Sequence, residues 1–320
     1  MQRLVRMTSQ AVIVDKIKKI VLPLSHDFHK GQAGRVGVVG GSEDYTGAAY
    51  FSAMSALKAG VDMAHVICEP GAATVIKGYS PDLMVHPYLR MNDNRSTVKS
   101  ERIIDTVAEL FPRIHVLIVG PGLSRDALML EYAKGIILRA KKENLPIIID
   151  ADGLFLVQND PGIIQNYQKA ILTPNVNEFR RLCNTMGIPN DNTSLEEKTR
   201  RLSKLFGVTI VQKGKNDIIS NGELVVVCDT TGSPRRCGGQ GDILTGLIAT
   251  FIAWGKAYEN KLWKHDNSIR SSELPVLASY AGCTIVRECS RVAFEEFGRS
   301  MQTSDLIAKI GPVLDKLYSR

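Results

Sequence analysis

Runs of apolar residues rich in Val, Ile and Leu, with no polar alternation, recur along the chain and break off into glycine, aspartate or asparagine. "RVGVVGG" (35–41), "DMAHVICEP" (62–70), "IHVLIVGPG" (114–122), "LPIIIDADG" (145–153), "KAILTPN" (169–175) and "GVTIVQKG" (207–214) share this form. Between the early ones lie helical patterns such as "TGAAYFSAMSALKAG" (46–60) and "RDALMLEYAKGIILRAKKE" (125–143). Continuous apolar strands alternating with helices predict an α/β fold, a mostly parallel central sheet covered by helices on both faces. "DIIS" and "ELVVVCD", joined through Asn221-Gly222, predict a late antiparallel hairpin at the sheet edge. After Ile243 the pattern turns largely helical, with 274–298 the longest segment, while the polar, irregular 256–272 reads as a surface loop. No linker, repeat or low-complexity tract appears, so residues 1–320 are expected to form one domain, with 1–30 an N-terminal extension carrying a helix.

Strands of an open parallel sheet present their carboxyl ends on one rim, where ligands bind. Here those ends carry Gly40-Gly41-Ser42, Gly120-Pro121-Gly122, Asp150-Ala151-Asp152, Thr173-Pro174-Asn175 and Lys213-Gly214. Each alone is ordinary turn chemistry; five together predict a site.

The bulk numbers narrow the function classes. The 320 residues are 44% hydrophobic and 23% charged, an ordinary globular balance, and no apolar run is long enough for a membrane helix. The net charge is +7, but the basic residues are scattered among acids without aromatic interleaving. That argues against nucleic acid and suits an anionic small molecule. Six cysteines at 68, 183, 228, 237, 283 and 289 have no zinc spacing and read as reduced thiols. Arg3 and Arg6 without a nearby acid faintly suggest a transit peptide, and Met7 a second start, yet Asp15 and several lysines follow. The expectation is cytoplasm, with a mitochondrial destination as the alternative.

The chemistry concentrates in "CGGQGDILTG" (237–246), where Gly238, Gly239 and Gly241 precede Asp242 and an apolar helix. A helix N-terminus offers unpaired N–H groups and the positive end of a dipole, and glycines let an anion approach them. Asp242 in the first turn would be held as an anion able to accept a proton or help place a metal. The alternative is a plain N-cap on a tight loop. P-loop, Rossmann, HExxH and GxSxG signatures are absent, and the His26/His29 pair suggests no third ligand.

The ordered set "TPNVNEF", "VQKGKNDII" and "TTGSPRRCGGQGDILTG" resembles the ribokinase-like superfamily. With "GRVGVVGGSEDYTGAAYFSAMSALKAGVDMAHV", "VGPGLSRD" and "IIIDADGLFLV", the chain over about residues 30–298 is similar to the ATP-dependent NAD(P)H-hydrate dehydratases of the stand-alone eukaryotic type. The resemblance implies repair of NADH or NADPH hydrated on the nicotinamide ring. ATP and Mg²⁺ would be used to remove water from the S epimer, giving ADP and phosphate. Asp242 would be the catalytic base, and the amides of Gly238, Gly239, Gln240 and Gly241 would stabilise the transferring phosphoryl group. Gly232, Ser233, Pro234, Arg235, Arg236 and Cys237 would wrap the ATP phosphates, with Arg235 and Arg236 either adding charge or forming a solvated pair. Lys213, Gly214, Lys215, Asn216 and Asp217 would contact the nucleotide, Lys213 as the phosphate partner. Gly122, Asn175, Val176, Asn177, Glu178, Phe179, Arg180, Arg181 and Asp242 would line the hydrate site. Asn175 and Glu178 would also hold magnesium largely through water, or form a capping box, the two roles being compatible. One of Asp150 and Asp152 would orient substrate or metal water and the other cap a helix. "GGSEDYTGAAY" would take another part of the dinucleotide, with a neighbouring subunit of a homo-oligomer as a further contributor. A separate epimerase would interconvert the hydrate epimers. The competing expectation is a vitamin-precursor kinase of the same fold, with the early "GRVGVVGGSEDYTGAAY" block together with "GPGLSRD" as the feature that discriminates the two.

Overall fold

The structure is a computed structural model and describes residues 10–94 and 97–319. Arg3, Arg6 and Met7, on which the transit-peptide reading rests, lie outside the described residues. Among the described residues nine strands form one sheet: β1 (Arg35–Val39), β2 (Met63–Ile67), β3 (Met84–His86), β4 (Val116–Val119), β5 (Ile147–Ile149), β6 (Ala170–Leu172), β7 (Thr209–Gln212), β8 (Asp217–Ser220) and β9 (Val225–Cys228). Their order is β3-β2-β1-β4-β5-β6-β7-β8-β9. All pairs from β3 to β7 are parallel, and β8 and β9 add an antiparallel edge. The late hairpin is therefore present, turning at Asn221-Gly222.

Eleven helices are described: α1 (Gln10–Ile20), α2 (Thr46–Ala59), α3 (Pro70–Tyr79), α4 (Ser100–Ala108), α5 (Ala127–Lys142), α6 (Asp152–Asn159), α7 (Val176–Thr185), α8 (Leu195–Phe206), α9 (Gln240–Glu259), α10 (Leu274–Phe297) and α11 (Thr303–Tyr318). They cover both faces because each strand sends alternate residues to opposite sides. Val36, Val38, Val116, Ile118 and Ile148 join a core under α1–α3 and α9–α11, while Val39, Leu117, Val119, Ile147 and Ile149 join a second core under α4–α8. With both sides of the strands covered, the unalternating apolar runs are accounted for. None of the described helices is long and apolar enough to cross a membrane.

Two elements differ from expectation. Residues 256–259 are not loop: α9 continues to Glu259, since its Ala257 and Tyr258 are buried against the first core, and the irregular stretch begins at Asn260. Strand β3 was not visible in the pattern, because its three residues sit half-buried at the sheet edge.

Parallel pairing aligns the carboxyl ends of β1, β4, β5, β6 and β7 on one rim. The order reverses between β1 and β4, and there the two glycine loops lock together. The Gly41 amide donates to the carbonyls of Pro121 (3.2 Å) and Gly122 (3.0 Å), and the Ser42 hydroxyl donates to Gly122 O at 3.0 Å. A Cβ at Gly40 would lie 2.0 Å from Pro121 O, and one at Gly122, whose φ is +63°, would lie 2.3 Å from Tyr45 O. These glycines are required by the close approach of two loops.

Candidate active site

Helix α9 starts on the rim. Its N-cap, Gly239, has φ +98°, and no side chain caps it. The amides of the first turn are thereby left to an incoming anion. Asp242 is in that turn but is not the cap, which removes the plain capping reading. The surrounding glycines have distinct reasons. A Cβ at Gly239 would strike Thr303 Cγ2 at 2.7 Å and the Phe51 ring at 2.8 Å. One at Gly241 would sit 3.3 Å from Lys213 Nζ and 3.5 Å from Asp150 Oδ2. At exposed Gly238 a Cβ would meet nothing within 4 Å, so the folded chain itself does not need a glycine there.

Beside Gly241 lies a charged cluster brought together from four strand ends and helices. Lys213 Nζ donates to Asp150 Oδ1 at 2.7 Å, with side chains 21% and 4% exposed. Burial alone would lower the Lys213 pKa, but Asp150, Glu178 and Asp242 outweigh it and hold the ammonium charged. Burial, reinforced by the Asp150 charge and opposed by Lys213, pushes the Asp242 carboxyl up to about 8. Burial likewise raises Glu178, with Lys213 opposing and Asp150 adding. Between Asp150 and Asp152, Ala151 is held at φ +49°, a backbone setting that alanine rarely adopts and that concentrates at functional sites.

The arrangement provides one carboxyl with a near-neutral pKa, one fixed cation and a set of oriented amides. That combination can take a proton from an alcohol while neutralising a phosphoryl group.

A family model for NAD(P)H-hydrate dehydratase matches residues 36–312. The chain belongs to the NAD(P)H-hydrate dehydratase family. It is 48% identical over 301 residues to the ATP-dependent (S)-NAD(P)H-hydrate dehydratase of Phaeosphaeria nodorum, covering 92% of this chain and 91% of that one. To the protein of the same name from Schizosaccharomyces pombe it is 44% identical over 306 residues, covering 95% and 93%. The fold is ribokinase-like. An ADP/ATP-dependent NAD(P)H-hydrate dehydratase from Bacillus subtilis, co-crystallized with ATP/Mg2+, gives a TM-score of 0.70 at 18% identity over 98% of this chain and 99% of that one. Thermotoga maritima ribokinase gives 0.54 at 13% identity, over 89% and 99%.

Within this family member the predicted residues separate by what they touch. Lys213, Gly238, Gly239, Gln240, Gly241 and Asp242 converge on the rim, with Glu178 close enough to act on Lys213. Asn175 and Glu178 form a capping box on α7: Asn175 Oδ1 accepts from the amides of Asn177 (2.9 Å) and Glu178 (3.0 Å), and Glu178 Oε2 from Asn175 N (2.7 Å). Val176, Asn177, Arg180 and Arg181 are exposed on this helix. The Phe179 side chain is 4% exposed and packs into the second core, where it anchors α7.

Asp217 is tied into the fold as well. Its carboxylate accepts from Gly214 N at 3.0 Å and from Arg287 Nε at 2.6 Å, while Arg287 also donates to the carbonyls of Lys215 and Gly214, each at 2.9 Å. Asp217 therefore shapes the 213–217 loop, leaving Lys215 and Asn216 exposed. The glycine loop is fixed in the same way. Ser233 N donates to Ser290 Oγ (3.0 Å), Arg235 Nε to Met301 O (2.7 Å) and Arg236 Nη1 to Ser233 O (2.5 Å). Gly232 packs against Ser290, whereas Pro234 is exposed. Cys237 Sγ accepts from Gln240 Nε2 and Thr303 Oγ1, both at 3.3 Å. Asp152 does not cap α6; it accepts from Ser124 N (3.1 Å) and Arg125 Nε (3.2 Å). Asp150 is the one of the pair that contacts Lys213. Sequence reading missed Arg287, Ser290 and Thr303, whose surroundings carry no motif.

Proposed function

We propose that this chain dehydrates the S epimer of hydrated NADH or NADPH at the expense of ATP, yielding NAD(P)H, ADP and phosphate. The observation that carries the reading is Asp242 set between an uncapped helix N-terminus and the Lys213–Asp150 pair. In the reaction the ring hydroxyl oxygen attacks the γ-phosphorus, Asp242 takes the hydroxyl proton, and the bond to ADP breaks. The ring nitrogen lone pair then expels phosphate as the carbon–oxygen bond breaks, leaving an iminium, and loss of the proton on the neighbouring ring carbon to water re-forms the ring carbon–carbon double bond. Phosphorylation thus replaces hydroxide, a poor leaving group, by phosphate. The amides of Gly238 to Gly241 face the charge that develops on the transferring group.

Magnesium fits the donor set: Asp150 and Glu178 about the single Lys213 ammonium leave negative charge over, and one Glu178 oxygen is already taken by the Asn175 backbone amide. Among the described residues no three acidic, cysteine or histidine side chains are placed to cage an ion, which matches a cation held through water and phosphate. Glu178, Asn175 and Asp150 would hold it, and it would supply charge neutralisation to the phosphate oxygens. A separate epimerase would supply the S epimer from the R form.

The test is recovery of the reduced-nicotinamide absorbance when the protein meets chemically hydrated NADH, ATP and magnesium. A stable phosphorylated alcohol without that recovery would make the protein a kinase and overturn the reading. Two variants probe the nucleotide side. Gly238→Ala is expected to leave the melting temperature unchanged, because its Cβ meets no protein atom, while raising the KM for ATP by roughly tenfold. Lys213→Gln is expected to lower kcat/KM by about 10²-fold, through the lost cation and the unpaired, buried Asp150.

A further inference from the structure

Arg35 opens β1 and His115 directly precedes β4, so both lie at the end of the sheet opposite the catalytic rim. With Lys30, Gly31, Gln32 and Lys256 they line a cavity of about 290 Å³. Lys256 comes from the last turn of α9, the helix whose first turn carries Asp242. Twenty residues of helix, roughly 30 Å, separate its two ends.

Arg35 Nη2 is 2.8 Å from His115 Nε2. A guanidinium has only donors, so Nε2 is the acceptor and the imidazole proton is on Nδ1. Burial, with the Arg35 and Lys256 charges, pushes the His115 pKa down to about 4, so the ring is neutral in this tautomer. Two N–H donors then remain, Arg35 Nε and His115 Nδ1, both buried and without a hydrogen-bond partner among the described residues. Buried donors without acceptors are uncommon and unfavourable. Gly31, at φ +95°, passes over the guanidinium: a Cβ there would be 3.4 Å from Arg35 Cδ and 3.7 Å from Nε. Gly31, a residue of the cavity wall, therefore lies directly over Arg35 Nε.

The charges around the cavity are unbalanced. Lys30, Arg35 and Lys256 line it, and Lys169 is near enough to depress Lys256. Two acids also bear on these groups. Asp62 acts on His115 but already accepts from the amides of Gly31 (2.6 Å) and Ala33 (2.9 Å), and Glu259 acts on Lys256 from the same helix. The missing element is an anion with several acceptor oxygens. A phosphate group presents enough of them to meet the Arg35 guanidinium and the lysines together, and the volume leaves room for more than the phosphate alone.

We propose that this cavity is a second anion site, which takes the phosphate group of a small phosphorylated molecule at the opposite pole from the nucleotide rim.

The experiment titrates the full-length protein with inorganic phosphate, pyrophosphate and adenosine monophosphate in separate arms, reading heat and the NMR signals of the His115 ring. The arms distinguish a free-phosphate site from one for a phosphorylated metabolite. The expected result is saturable binding that shifts the His115 signals, survives Lys213→Gln and weakens by roughly tenfold or more in Lys256→Gln and Arg35→Met. Lys256→Gln carries the reading alone should Arg35→Met fail to fold. Absence of saturable binding at millimolar concentrations in all three arms overturns the proposal, as does binding that Lys256→Gln leaves unchanged or that only Lys213→Gln removes.

Discussion

Asp242→Asn is expected to lower kcat by about 10³-fold and, at the same time, to raise the melting temperature at pH 8 by roughly 2–5 °C. Both effects come from one proton. A carboxyl with an ordinary pKa near 4 is too weak a base for an alcohol, whereas one raised to about 8 is matched to the work. The same shift is a cost to the fold. The folded-state pKa lies above the unfolded one, so the native protein binds the extra proton and stability falls as pH rises from about 4 to about 8. Activity runs the other way: kcat/KM should fall on the acid side of pH 8, because the free enzyme then carries Asp242 protonated. Asparagine keeps the shape and removes the ionisation. The discounted stabilisation, about 1–3 kcal/mol for a side chain still touching solvent, should therefore grow with pH and vanish below pH 4. Melting curves and kcat/KM profiles of both proteins across this range check the pair of signs. Unchanged turnover, or a variant no more stable at pH 8 than at pH 4, would contradict the role given to Asp242.

That site was half legible before the structure. The chain writes a helix N-terminus preceded by glycines and followed by an acid as one contiguous string, so Gly238 to Asp242 could be read locally. The rim was legible too, because buried parallel strands have continuous apolar runs and their ends must then lie together. The Lys213–Asp150 pair was not, since 63 residues separate the partners and only the register of β5, β6 and β7 makes them meet. Arg287 was hidden for a similar reason: it lies in a helix of ordinary composition, its acidic partner Asp217 is 70 residues away, and its other partners are backbone carbonyls with no sequence signature. Phe179 sits inside a motif, although helical periodicity turns it inwards while its neighbours face solvent. β3 escaped because a short, half-buried edge strand needs no apolar run.

Gly246 carries the second large effect, and it too is invisible to local reading. It lies in the interior of α9, where glycine is ordinarily unfavourable by about 1 kcal/mol against alanine. A Cβ there would lie 2.1 Å from both Ser52 O and Ser55 Oγ and 3.1 Å from Ala56 N, all on α2. The two helices are drawn this close by hydrogen bonds across the contact: Ser52 Oγ pairs with Thr245 Oγ1 at 2.7 Å, and Ser55 Oγ donates to Ile243 O at 3.2 Å. Gly246→Ala must push α9 off α2, breaking these bonds and tilting the turn that holds Asp242. The expected loss is on the order of 3 kcal/mol of stability, or roughly 5 °C in melting temperature. Because a displacement of about 1 Å at a catalytic group lowers turnover by about 10²-fold, kcat should fall as well, although Gly246 touches no substrate. Gly78→Ala is the matched control: it is also in a helix, its Cβ would meet nothing within 4 Å, and it should be neutral or slightly stabilising with full activity. Should Gly246→Ala keep both its melting temperature and its kcat, the catalytic base would not depend on the α2–α9 contact, and some other part of the fold would have to set its position.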